Sequence, residues 1–226
     1  MSELVVLNLG GSIFNPGEIA IPLVLEFRKL MYEQVKAGKK FLIILGGGAV
    51  SRQYQKKARE AGITDADALD EIGLWPTRVN AIWCKWLLSD YATSEIVTSF
   101  DELITFTDKP IVLGGGTAPG WSTDYVALRW AKQLGLTTAI SMGSAPYVYN
   151  KDFMVHKDAE PYKALTWSQY LAISGTERTP GMHAPIDPIA AQYGQDHKLQ
   201  AYVIGPSMDN LASLLDHKPF EGTIIS

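Results

Sequence analysis

Three glycine clusters, each closing a short apolar run, constrain this sequence more than any other feature. LVVLNL at 4–9 leads into Gly10-Gly11-Ser12, KFLIIL at 40–45 into Gly46-Gly47-Gly48, and KPIVLG at 109–114 into Gly114-Gly115-Gly116-Thr117. Runs of unbroken apolarity mark strands buried on both faces, the habit of parallel sheets covered by helices. LTTAIS at 136–141 and LQAYVIG at 199–205 read as further strands. Helix signals fall between them. Asn15 can cap a helix with Pro16 at its first position and Glu18 behind it, and Leu23, Phe27, Leu30, Met31 and Val35 repeat at helical spacing until Gly38. Residues 50–61 before Gly62, 77–90 after the helix-breaking Pro76, 123–134 before Gly135, and a segment opened by Asp187-Pro188 fit helices as well. The alternation predicts an α/β fold with a mostly parallel sheet, helices on both faces, and ligands in the crevice beyond the carboxyl ends of the strands.

Glycine turns in that crevice suit phosphate. Without a Cβ, the backbone N–H groups can turn inward and approach phosphate oxygens, and a following helix N-terminus adds favourable partial charge. Any single cluster can equally be a tight strand-to-helix turn and nothing more. None fits GxxxxGK[ST], because no Lys-Ser or Lys-Thr follows the glycines, and none makes GxGxxG, so neither common nucleotide motif applies.

With 226 residues and 46% hydrophobic content, the chain can bury one substantial core, and residues 1–226 are expected to form a single domain. A net charge of -4 gives no basic field for gripping long nucleic acid. Cys84 is the only cysteine, which removes intrachain disulfides and zinc-type clusters, and His156, His183, His197 and His217 do not fall at metal-ligand spacing; no protein-held metal is expected. The opening MSELVVLNLGG has no basic region before an apolar segment, and no apolar run reaches membrane-spanning length. A cytoplasmic protein with no membrane partner is expected.

The order of the clusters and the segments between them resemble the amino-acid-kinase superfamily, and within it the archaeal-type uridylate (UMP) kinases. The carrying segments are LNLGGSIF at 7–14, GGGAVSRQY at 46–54, LDEIGLWPTRVNA at 69–81, GGGTAPGWSTD ending at Asp124, and PIDPIAAQ at 185–192. The resemblance implies a three-layer α/β/α sandwich. It further implies transfer of a phosphoryl group from ATP to UMP, giving ADP and UDP for pyrimidine nucleotide synthesis, with Mg²⁺ and a homohexameric assembly.

Carried over by position, Gly10, Gly11, Ser12, Gly48 and Arg52 would meet the ATP phosphates. Gly47 and Asp70 would meet UMP, Asp70 at its ribose. Thr117, Ala118, Pro119, Gly120, Trp121, Ser122 and Thr123 would surround the UMP phosphate and base, with hydroxyls from Thr117, Ser122 and Thr123 and N–H donors from the Pro119-Gly120 turn. Asp124 closes the motif and, with Asn8 and Arg52, forms the catalytic set. Phosphoryl transfer needs alignment and charge compensation more than a protein nucleophile.

Two departures stand out. Asn8 occupies the place where many amino-acid kinases carry a lysine, so another cation must contribute. Where the family reads close to TNVDGVY, this chain reads SMGSAPYVY at 141–149, which leaves Ser141, Tyr149 and Asp152 to meet the adenine and ribose. Trp75, Trp83 and Trp86 read as core or subunit-interface residues. Alternatives are a same-fold kinase acting on a carboxylate, carbamate or isopentenyl phosphate, and a non-catalytic nucleotide sensor or oxyanion-storage protein.

Overall fold

A computed structural model describes residues 3–107, 109–175 and 184–226, so His183 lies outside the described residues. The apolar runs form β1 (Leu4–Leu9), β2 (Lys40–Leu45), β4 (Ile111–Gly114), β5 (Thr138–Met142) and β9 (Gln200–Ile204). Between and after them lie α1 (Gly11–Phe14), α2 (Ile21–Lys36), α3 (Gly48–Glu60), α4 (Ala66–Leu87), α5 (Thr123–Gln133) and α7 (Pro188–Asp196). Sequence reading missed α1, β3 (Ala92–Val97), α6 (Trp167–Ser174), α8 (Met208–Leu215), β10 (Thr223–Ile225) and the two-residue strands β6 (Val148–Tyr149), β7 (Pro161–Tyr162) and β8 (Ala164–Leu165).

Eight strands make one sheet in the order β3-β4-β2-β1-β5-β9-β10-β8, with β6 and β7 paired separately. All neighbours in the large sheet run parallel except β9 and β10. The two faces of the central strands explain their unbroken apolarity. On β1 and β2, Val6, Leu42 and Ile44 pack on one side with Val126, Trp130 and Ala131 of α5, Trp167 and Tyr170 of α6, and Ala190 of α7. Leu7, Leu9, Phe41, Ile43 and Leu45 pack on the other with Phe14 of α1, Phe27 and Met31 of α2, Ala81 and Cys84 of α4, and Leu211 of α8. The result is a three-layer α/β/α sandwich.

Two helix boundaries differ from expectation. Asn15 does not open a helix; it closes α1, donating its N–H to the Gly11 carbonyl, and its own carbonyl accepts from Ala49 at the start of α3. The next helix begins only at Ile21, with Pro22 in its first turn. Pro76 does not break a helix, for α4 runs through it. Carbonyls around the proline are held by side chains: Ser51 Oγ donates to the Gly73 carbonyl at 2.7 Å, and Thr77 Oγ1 to that of Leu74 at 2.6 Å. The proline itself withdraws the N–H owed to the Ile72 carbonyl, one bond in a helix of 22 residues.

Candidate active site

From β1 the chain steps through β2 toward one sheet edge, then resumes on the other side of β1 with β5. The crevice at such a reversal, beyond the carboxyl ends of parallel strands, is where this class of sheet leaves room for a ligand. A cleft of about 920 Å³ opens there. That is at the upper end of the roughly 300–1,000 Å³ range of small-molecule sites. Its wall includes Asn8, Gly10, Gly11, Ser12, Gly47, Gly48, Arg52, Asp70, Ala118, Trp121, Ser122, Thr123, Asp124, Ser141, Tyr149 and Asp152, so most of the sequence-predicted set converges. Thr117, Pro119 and Gly120 do not line it.

The first two glycine clusters interlock. A Cβ on Gly11 would lie 1.9 Å from the Gly48 nitrogen, and one on Gly46 would lie 2.3 Å from the Gly11 nitrogen. Gly48 also sits at φ +70°, in the left-handed region. Glycine is therefore required here for backbone contact, independently of any phosphate. Gly10 spends its N–H on the Met142 carbonyl at 2.8 Å, which leaves the turn after it to face the cleft.

Asn8, Asp124 and Ser141 meet at the cleft floor. Asn8 and Ser141 are register partners across β1 and β5. The Asn8 Nδ2 and Ser141 Oγ both donate to Asp124 Oδ1 at 2.6 Å. Asp124 is half-buried as a residue, but its carboxyl is enclosed by protein. Desolvation pushes its pKa up to about 7; the Asp187 charge adds to the rise, while the hydrogen bonds from Ser141 and Asn8 oppose it. Asp187 caps α7 by accepting from the N–H groups of Ile189 and Ala190, and takes a hydrogen bond from Ser122 Oγ. Asn8 Oδ1 is buried without a protein partner.

The loop after β4 is held from behind by α4. Gly116 donates its N–H to Thr77 Oγ1 at 2.6 Å, and Arg78 donates from Nε and Nη2 to the Gly116 and Thr117 carbonyls. Asp70 Oδ2 accepts the Gly120 N–H at 2.8 Å, and Asn80 Nδ2 donates to the Gly46 carbonyl. Three expected anion donors are thereby corrected. The Gly120 N–H is committed to Asp70, the Ser122 hydroxyl caps α5 while bonded to Asp187, and the Thr117 hydroxyl is buried away from the wall. Thr123 and the α5 N-terminus remain on the cleft. The physical cause is that a loop this short uses its polar groups to fix its own shape.

At the other end, Arg52 stands exposed near the start of α3, its fifth residue. Tyr149 stacks on Phe153 with centroids 4.8 Å apart, and Tyr147 meets Tyr149 edge-on at 6.2 Å. Asp152 turns its Oδ1 to the Met154 N–H at 2.9 Å. Ser141 sits on the floor with Asn8, its hydroxyl committed to Asp124.

Sequence reading passed over Thr77, Arg78 and Asn80. The available signal is spacing: Thr77 and Asn80 fall at i, i+3 on the same helical face as Leu74, Ala81 and Cys84, so two polar side chains interrupt the stripe that α4 buries. Of the three tryptophans read as core or subunit-interface residues, Trp75 and Trp86 are exposed, whereas Trp83 is half-buried edge-on against Phe14.

The chain is similar to the uridylate kinase of Methanococcus aeolicus, 31% identical over 98% of this chain and 99% of that one. The crystal structure of uridylate kinase from Archaeoglobus fulgidus superposes with a TM-score of 0.82 at 30% identity, covering 98% and 99% of the two chains. The UMP kinase structure from Bacillus anthracis shares the fold, with a TM-score of 0.76 at 20% identity over 99% and 96%. With the amino acid kinase family model matching residues 3–205 across the sheet and the cleft just described, the chain belongs to the amino acid kinase family.

Proposed function

We propose that this protein is a uridylate kinase, transferring the γ-phosphoryl group of ATP to UMP to give ADP and UDP. One observation carries the reading. A single large cleft joins the glycine turns after β1 and β2 to the loop after β4, in a chain matched nearly end to end by uridylate kinases. The turns at Gly10–Ser12 and Gly47–Gly48, with Arg52, take the ATP phosphates, and Tyr149 and Asp152 take its nucleoside. Gly47, Asp70 and the wall residues of the loop, Ala118, Trp121, Ser122 and Thr123, take UMP. Asp124 holds Asn8 and Ser141 in one orientation beneath the reacting phosphates, and Arg52 supplies permanent positive charge that Asn8 lacks.

Mg²⁺ fits this floor. Among the described residues no group of three acidic, histidine or cysteine side chains could cage a metal. The partnerless Asn8 Oδ1 beside the Asp124 carboxyl does offer hard oxygen to an ion that takes most of its ligands from phosphates and water. Asn8 and Asp124 would hold the ion or its waters, and the ion would offset charge on the β- and γ-phosphates.

The test is ADP release on a panel of UMP, CMP, carbamate and isopentenyl phosphate. UMP should be the preferred acceptor by at least about tenfold in kcat/KM, the scale at which a site discriminates by a single contact. Preference for a non-nucleotide would move the protein to another acceptor, and no ADP from any would make it a binding protein.

The reading extends to one kinase domain over residues 1–226, working in the cytoplasm as a homo-oligomer, with a hexamer favoured. Trp75, Val79, Ile82 and Trp86 lie 56%, 61%, 43% and 70% exposed along one face of α4, an apolar stripe that an assembly would cover. Light scattering should find the wild type as a multimer at micromolar concentration and Trp86→Glu as a smaller species. A monomeric wild type would remove the stripe from any subunit contact.

A further inference from the structure

We propose that Arg78 is a positioning residue for the acceptor: it fixes the direction in which the loop after β4 presents its backbone, and so sets the affinity for the monophosphate without touching it. The inference rests on the acceptor reading given above. Its basis is the polarity of the loop. A carbonyl turned toward a phosphate repels it, so a loop that holds an anion must send its carbonyls elsewhere, all the more where the Gly116 and Gly120 N–H groups are already bonded to Thr77 and Asp70 and only the rest of the loop can offer donors. At Gly116 and Thr117 both carbonyls are drawn off by one guanidinium, Nε to the first at 3.1 Å and Nη2 to the second at 3.2 Å. Arg78 is absent from the cleft wall, so these carbonyls are pulled to the α4 side of the loop.

The fork itself is held. Its guanidinium lies 5.0 Å from the centroid of the Trp75 ring one helical turn earlier, and burial lowers its pKa while the charge of Glu102 opposes that change. The loop meets the helix closely enough to leave no slack. A Cβ on Gly115 would lie 3.0 Å from the Arg78 backbone nitrogen, and one on Gly116 3.0 Å from Leu74 Cγ. Two carbonyls on successive residues require two donors in a fixed plane. Lysine offers one compact ammonium and cannot reproduce the arrangement.

The experiment compares full-length Arg78→Lys and Arg78→Ala with Lys85→Ala. Lys85 is another cation on α4, placed over Trp86 and bonded to the Ser94 carbonyl, with no contact to the loop. Two readouts are taken: steady-state constants for UMP and ATP, and amide hydrogen exchange across residues 114–123. Arg78→Lys should exchange faster in that segment and raise the UMP KM about tenfold, the order expected for one lost charge-assisted pair. Its kcat and ATP KM should stay within about twofold of the wild type, and Lys85→Ala should match the wild type throughout. An unchanged UMP KM in folded Arg78→Lys overturns the proposal. So does a proportional loss in both substrates together with a lowered melting temperature, which marks a purely structural residue. If the wild type proves inactive on UMP, faster loop exchange in Arg78→Lys upholds the positioning of the loop and removes UMP as its ligand, and unchanged exchange overturns the positioning as well.

Discussion

Arg52→Ala is expected to lower turnover with UMP by about two orders of magnitude, the scale of losing one preorganised charge-stabilising donor, with little change in thermal stability. The floor beneath the proposed phosphate path carries an amide at Asn8 and a carboxyl at Asp124 that is itself reluctant to ionise, so it has no cation of its own among Asn8, Ser141 and Asp124. Arg52 lines the same cleft from near the start of α3. It is exposed, and replacing an exposed side chain away from caps and cores shifts stability by no more than about 0.5 kcal/mol. Steady-state kinetics beside a thermal melt decides the matter. Turnover at the wild-type level in the folded variant would take Arg52 out of the site. Arg52→Lys should recover part of the loss, because charge is retained while the planar fork is not.

The second large effect is on stability against pH. In the folded chain the Asp124 pKa is raised to about 7 from an ordinary 3.8, first by desolvation and then by Asp187. The native state therefore holds a proton that the unfolded chain releases at lower pH. Stability from this group is full below about pH 4, falls as pH rises toward 7, and changes no further above that. The slope is at most about 1.4 kcal/mol per pH unit. Asp124→Asn keeps an acceptor for Asn8 and Ser141 but cannot ionise, so its unfolding free energy should be nearly flat over that interval and exceed the wild type at pH 8. Urea unfolding at several pH values measures both. Parallel curves for the two proteins would mean that Asp124 ionises in the fold as it does in water. Activity should fall in the same variant, because a site that keeps a carboxyl where it costs stability is using its charge or its proton.

Much of this molecule could be read from residue order. The central strands announced themselves because both their faces are buried, so no polar residue interrupts Val5–Leu7 or Phe41–Leu45. The edge of the sheet did not. β3 reads ATSEIV, with Ser94 and Glu95 exposed, and β10 is only three residues long, so neither leaves an apolar run. Helix starts were misread where local rules met tertiary contacts. Asn15 and Pro16 look like a cap, yet the Asn15 backbone is engaged by α1 and α3. Pro76 looks like a stop, yet α4 runs through it with Leu69 and Leu74 buried before it and Ala81 and Cys84 after it. The cleft residues were legible because glycine clusters and the GGGTAPGWSTD segment sit at strand ends. Which of their polar groups face the cleft was not, since that depends on partners such as Asp70 and Asp187, distant in sequence from Gly120 and Ser122.

The interlock of Gly11 with Gly46 and Gly48 also bears on how this site can change over generations. Two turns from different strands touch backbone to backbone, so a side chain gained on one demands retreat by the other, and no single substitution accomplishes both. The glycine end of the cleft is thus closed to stepwise drift. The segment from Ser144 to Phe153 is not so bound: Ser144 and Asp152 are exposed, and a Cβ on the neighbouring Gly143 would meet nothing within 4 Å. Change that this cleft can absorb should therefore gather in residues 144–153, the segment that departs from TNVDGVY, and spare the cradle behind Gly11.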